Sequence, residues 1–254
     1  MFGIDIFVHA IRMVVNNIGP ALRISGVLMG VLFVVSWVFG GGQVAVGADF
    51  GTAARQGAGA AGGALIVGIV SFLISLWVAV AWHRYILREE EPTGILPAFN
   101  GAAIGSYFVA GLIFAVILIV LAIPIGLLAG IVLFPFQAGG RPGVFGALLF
   151  GLVLYLPLAY VGYRLSPILP SAALGQRMPI KDAWTATGTS GAAFVVLTVV
   201  SVLAAVLAQA PAAVLGSFLG GIWLFLVQWA TILIGASILT TIYGHYVEGR
   251  ALNG

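Results

Sequence analysis

Most of the side chains in this sequence that could bind or react sit in three short clusters. The first is Trp82-His83-Arg84-Tyr85, followed by Arg88 and Glu89-Glu90-Glu91. The second is Tyr160-Val161-Gly162-Tyr163-Arg164, and the third is Tyr243-Gly244-His245-Tyr246 with Glu248 and Arg250 behind it. An imidazole can carry a proton or ligate a metal. A guanidinium forks onto carboxylate or phosphate, and neighbouring carboxylates can take a divalent cation. The spacing argues for less than that. His9, His83 and His245 show neither His-x-x-x-His nor Glu-x-x-His order, so they read as interfacial side chains rather than a metal set. Glu89–Glu91 read as a solvated turn facing Arg84 and Arg88, with local pairing of at most about 1 kcal/mol.

Other routes to chemistry are also missing. There is no cysteine, hence no disulfide, thiolate ligand or cysteine nucleophile. There is no phosphate-cradling Gly-Lys-Ser/Thr loop and no Gly-x-Ser-x-Gly elbow. The deepest polar groups of the apolar runs are Ser71, Ser75, Thr198, Ser201, Gln228, Thr231, Ser237, Thr240 and Thr241. Ionisable residues at membrane depth usually mark pumps and enzymes, and none falls mid-span. These hydroxyls and the one amide read first as interhelical hydrogen-bonding groups. Gln228 and Thr231 are the candidates for a solute path. The expectation is a non-enzyme with no catalytic residue, cofactor or metal ligand.

The elements that carry these clusters follow from composition. Of 254 residues, 62% are hydrophobic and only 7% charged, with mean hydropathy +1.19. Soluble domains carry about 25% charged residues, so this chain belongs in a bilayer. The net charge of +3 comes without a basic cluster that could track phosphates, which excludes a nucleic-acid partner. Six apolar runs, about 21–40, 63–85, 106–134, 144–165, 192–210 and 222–244, match the roughly 20 residues a spanning helix needs. The third contains Pro124 and the fourth Pro157, where kinks are expected. The first run starts too late for a signal peptide and is expected to be retained. The fold class is therefore all-α, a polytopic bundle of about six spans in one domain, 1–254.

Short amphipathic pieces precede three of the spans. Residues 3–17 place Ile4, Phe7, Ile11 and Val14 at helical spacing. Residues 93–105 repeat the pattern weakly with Ile95, Leu96, Phe99 and Ile104, and Ile180, Ala183, Trp184 and Thr187 do so in the 166–191 segment. Three interfacial helices are expected. Arg12, Arg23, Arg84, Arg88, Arg164, Arg177, Lys181 and Arg250 fall on one side of the threading, against Arg55 and Arg141 on the other. The positive-inside rule then puts both termini in the cytoplasm of a bacterial inner membrane. Three helix-hairpin units, about 1–88, 89–165 and 166–254, share this order, whether by duplication or because any interfacial helix end collects aromatics and arginine. Gly26/Gly30, Gly101/Gly105, Gly126/Gly130 and Gly216/Gly220 are candidate close-packing pairs.

Two stretches carry a resemblance: Ala81–Pro92, and Tyr163–Ala173 with Asp182–Gly188. They are similar to segments of six-helix bacterial membrane proteins of the YciC-like and glycerophosphodiester-phosphodiesterase membrane-domain group. The resemblance covers about a quarter of the chain and its motifs are not specific to a reaction. It implies an inner-membrane protein connected with envelope lipids, and carries over no phosphodiesterase residue. The reading that results is an accessory or lipid-interacting membrane component. Its partners would be membrane lipids and other membrane proteins, met by Trp82, His83, Arg84, Arg88, Arg164 and Trp184. The alternative is a permease or channel for a small neutral or amphipathic solute.

Overall fold

The computed structural model describes residues 3–40, 54–92, 94–133 and 144–252. The helices are α1 (Gly3–Asn16), α2 (Ile18–Phe39), α3 (Ala58–Arg88), α4 (Gly101–Leu133), α5 (Val144–Leu165), α6 (Ile168–Ala173), α7 (Ile180–Ala186), α8 (Gly191–Gln209) and α9 (Gly216–Tyr246), with a 3-10 turn, Ala210–Ala213, between the last two. Every predicted span is a helix. Five are long and apolar enough to cross a membrane, and α5 contributes the apolar stretch Leu152–Leu165. The protein is an all-α, multi-pass membrane protein. Most of the outer Gly-rich connection, the 135–143 turn and Arg141 lie outside the described residues.

The faces of α2 show how burial is divided. Ala21, Ile24, Leu28 and Leu32 turn inward at helical spacing, while Val27, Val31, Val34 and Val38 remain exposed. That leaves half the helix for hydrocarbon, as a bilayer allows and water does not. Helix α3 is apolar all round, and so is α9. With 31 residues each, they measure about 46 Å at 1.5 Å per residue, well beyond the roughly 30 Å hydrocarbon core. Their last turns lie at the end of the bundle that carries Arg84, Arg88, Arg164 and Arg250, here called the basic end.

The three larger of four buried clusters among the described residues hold most of the helices together. Ile24, Leu28, Leu32, Val78, Trp82 and Leu233 join α2, α3 and α9. Val80, Ala103, Tyr107, Ile168, Leu169 and Ala172 join α3, α4 and α6. Ile6, Ala10, Phe194, Leu197, Ile238 and Ile242 join α1, α8 and α9. Hairpins α2/α3 and α4/α5 pack tightly, and α1 docks on the α8/α9 pair rather than on its own span.

Four expectations change. The buried stripe of α1 is Gly3, Ile6, Ala10 and Val14; of the expected set only Val14 belongs to it, and Ile4, Phe7 and Ile11 do not. The helix has two apolar stripes, and Gly3 decides which faces inward: a Cβ there would collide with Ala193 O and Leu197 N of α8. The second interfacial helix does not form, since 94–100 carries no helix. Pro92, Gly94 and Pro97 explain this, because proline disfavours helical geometry at the residue before it. The third interfacial piece is two helices, of which α6 is buried along its whole length and wedged against α3, α4 and α9. Finally, Gly26, Gly30, Gly105, Gly130 and Gly216 approach nothing within 4 Å, whereas Gly63 lies against Phe39 O. Among the paired glycines, Gly220 makes the one backbone approach, to Ala212 O at 2.9 Å from its would-be Cβ.

Candidate functional site

The predicted residues gather at the basic end, in three different roles. Trp82 and His83 lie in the last two turns of α3 and are fully enclosed; neither faces lipid or a partner. Trp82 Nε1 donates to Ser237 Oγ at 2.8 Å, and His83 Nδ1 lies 2.7 Å from Thr240 Oγ1. The Thr240 hydroxyl donates to Ala236 O at 2.8 Å. Its single proton is thus committed, so His83 Nδ1 must be the donor and Nε2 the acceptor. Tyr107 OH, 3.4 Å away, donates to that Nε2. A neutral imidazole is thereby saturated by one hydroxyl from α9 and one from α4. Buried without such partners it would cost a few kcal/mol, about 1–3 on mutational scales. The arrangement locks α3 to α9.

Arg84 and Arg88 hold α6 in place. Arg84 makes a two-pronged pair with Glu90, at 2.8 and 2.6 Å, and donates to Ala173 O at 3.1 Å. Arg88 donates to Leu174 O. Both therefore cap the C-terminal carbonyls of α6, where a helix has acceptors to spare and a negative dipole end. The triple-glutamate turn does face these arginines, through Glu90. Glu89 closes α3 with φ at 55°, an uncommon left-handed cap for a residue with a side chain.

Arg164 and Trp184 meet, as two of the lipid or partner candidates. The guanidinium lies 3.9 Å from the Trp184 ring centroid, and is 7% exposed. It donates to Tyr160 OH at 3.0 Å, Thr187 Oγ1 at 3.2 Å and Trp184 O. Arg164 thus ties the end of α5 to α7, with the indole as its outer cover.

The solute-path candidates lie one turn apart on α9. Thr231 is exposed on the outer face of α9, its hydroxyl donating to Val227 O at 2.8 Å. Gln228 is half-buried one turn earlier. The sixth-span hydroxyls that do reach another helix are Ser237 and Thr240.

Two concavities flank this end. One is an open groove of about 570 Å³ lined by Leu22, Arg23, Val27, Pro92, Gly94 and Ile95. Arg23 is exposed there and takes part in no ion pair among the described residues. The other is a cavity of about 120 Å³ where α1, α3 and α9 meet the C-terminal turn; its lining includes His9, Met13, Thr241, His245, Arg250 and Leu252. Sequence reading placed Arg23 at a span start and His9 in an interfacial helix. Neither concavity was visible, because each needs segments more than 60 residues apart in the chain.

No family model, no curated protein and no solved structure matches this chain.

Proposed function

We propose that this is a non-catalytic, lipid-interacting component of a bacterial inner membrane, with its basic end in the cytoplasmic headgroup layer. The groove at Arg23 carries the reading. A guanidinium in no ion pair among the described residues sits at the mouth, with apolar walls from Leu22, Val27 and Ile95. Below it, Val27, Val31, Val34 and Val38 form an exposed stripe about 16 Å long at 1.5 Å rise per residue. One leaflet of hydrocarbon is about half of the roughly 30 Å core. An anionic phospholipid fits this outline, its phosphate on Arg23 and one acyl chain along the valines.

Lipid co-purification tests it. With wild-type protein extracted in mild detergent, native mass spectrometry is expected to show retained anionic phospholipid. Arg23→Gln should lower retention several-fold without altering thermal stability. Equal retention in the two proteins overturns the reading. Threading is tested separately, since the chain has no cysteine of its own. Arg55→Cys should react with an impermeant maleimide from outside, and Arg177→Cys only after permeabilisation.

A further inference from the structure

The histidines at the two ends of the chain come together in the smaller cavity, and both are held in the same way. His9 Nδ1 lies 2.8 Å from Leu252 O, and His245 Nδ1 lies 3.0 Å from Arg250 O. A carbonyl only accepts, so each Nδ1 carries a proton, and Nε2 is the nitrogen left to bind a ligand once its own proton is off. A metal-bound histidine usually donates its other ring N–H to a carboxylate, a backbone carbonyl or water. Met13 lines the same cavity, one helical turn after His9 on α1, so His9 and Met13 share a helix face.

The remaining lining narrows the choice of ligand. The Arg250 guanidinium is occupied: Nε pairs with Glu248 at 2.6 Å, and Nη1 and Nη2 donate to Ile86 O and Leu87 O at 3.3 and 2.9 Å. Its charge is balanced within that pair. The Thr240 and Thr241 hydroxyls donate to Ala236 O and Ser237 O, both at 2.8 Å. The side chains left to receive a ligand are acceptors: two imidazole nitrogens, a thioether sulfur and hydroxyl lone pairs. Neither a carboxylate nor a thiolate lines the cavity. Zinc sites commonly use four ligands that include thiolate, carboxylate or several imidazoles. Thioether together with imidazole suits copper(I), and a monocation needs no anionic ligand to balance it.

We propose that His9, Met13 and His245 form a binding site for one soft monovalent metal ion of the copper(I) class. Occupation joins α1 to the end of α9 and fastens the C-terminal turn, whose Gly249 has φ at 69°, onto the bundle. The proposal is independent of the phospholipid groove.

The test uses the full chain in nanodiscs. Copper(I) is titrated anaerobically against a chromophoric chelator, and silver(I) serves as a redox-inert probe in thermal unfolding. One equivalent should bind, and silver(I) should raise the midpoint. Met13→Leu, which keeps volume and apolarity, should weaken copper(I) on the order of tenfold or more and remove the sulfur scatterer from the X-ray absorption spectrum. His245→Gln should weaken it similarly, while Met178→Leu should change nothing. Saturation absent at one equivalent overturns the site. So does affinity that survives in His9→Ala/Met13→Leu protein of unchanged elution volume, or a preference for zinc(II) over copper(I).

Discussion

The segments leading into the first and second hairpins meet the bundle in opposite ways. Helix α1 buries Ile6 and Ala10 completely, and lies so close to α8 that only glycine fits at position 3. Residues 94–100 reach α4 without forming a helix, with Ile95 77% and Phe99 71% exposed. Yet each docks on the preceding hairpin if the three units are taken in a ring. The leader of the first unit, α1, packs on α8/α9; α6 and α7 of the third pack on α4/α5. The 94–100 segment rests on α2/α3, through Phe99 against Trp77 at 5.3 Å and through the Arg23 groove. Two leaders are helices that fill their place, and the second is an open chain that leaves a groove. Pro92, Gly94 and Pro97 account for that difference.

The sharpest break between the two leaders should be in stability. Ile6→Ala removes a fully buried side chain and should cost about 2–5 kcal/mol. Ile95→Ala, on the open leader, should stay within about 0.5 kcal/mol. Thermal unfolding of both variants in one detergent measures the gap. A comparable loss from Ile95→Ala would mean that the second leader is packed as firmly as the first.

The arginines offer the next comparison. Arg164→Met deletes three hydrogen bonds from a buried guanidinium and leaves Thr187 and Tyr160 without it. We expect a loss of about 2–3 kcal/mol, the scale of hydrogen bonds to charged groups. Arg23→Met should be close to neutral in stability and act on lipid retention alone. If Arg164→Met released lipid without destabilising the fold, the proposed division between structural and lipid-contacting arginines would fail.

That division was only half legible in the sequence. The clusters around Arg84, Arg164 and His245 stood out because charge is rare in an oily chain, and their position at helix ends was correct. Their roles were hidden because α3 and α9 are apolar on every side. Period 3.6 then gives no inner face, and Trp82 and His83 could not be told from lipid-facing anchors. Helix α6 was not legible beside Pro167 and Pro170, because proline usually interrupts a helix. They instead start and fit a short buried helix, whose carbonyls Arg84 and Arg88 then cap. The interhelical reading of the sixth-span hydroxyls holds for Ser237 and Thr240, while Thr231 bonds within its own helix.

The most direct test of the ring relation is a double substitution with little expected change in stability. Gly94→Ala with Pro97→Ala removes two of the three helix breakers from the second leader; alanine gains about 1 kcal/mol over glycine and about 3 over proline in a helix interior. The segment 94–100 would then be able to adopt the conformation its counterparts already have, with Ile95, Leu96 and Phe99 as its apolar residues. Because that face would be exchanged for contact with α2, net stability should move by less than about 1 kcal/mol. Circular dichroism should report added helix, and anionic phospholipid retention should fall as it does in Arg23→Gln. Added helix with undiminished lipid retention would show that the groove and the second leader are unrelated. No added helix would show that Pro92 and the glutamate turn, rather than Gly94 and Pro97, keep this leader open.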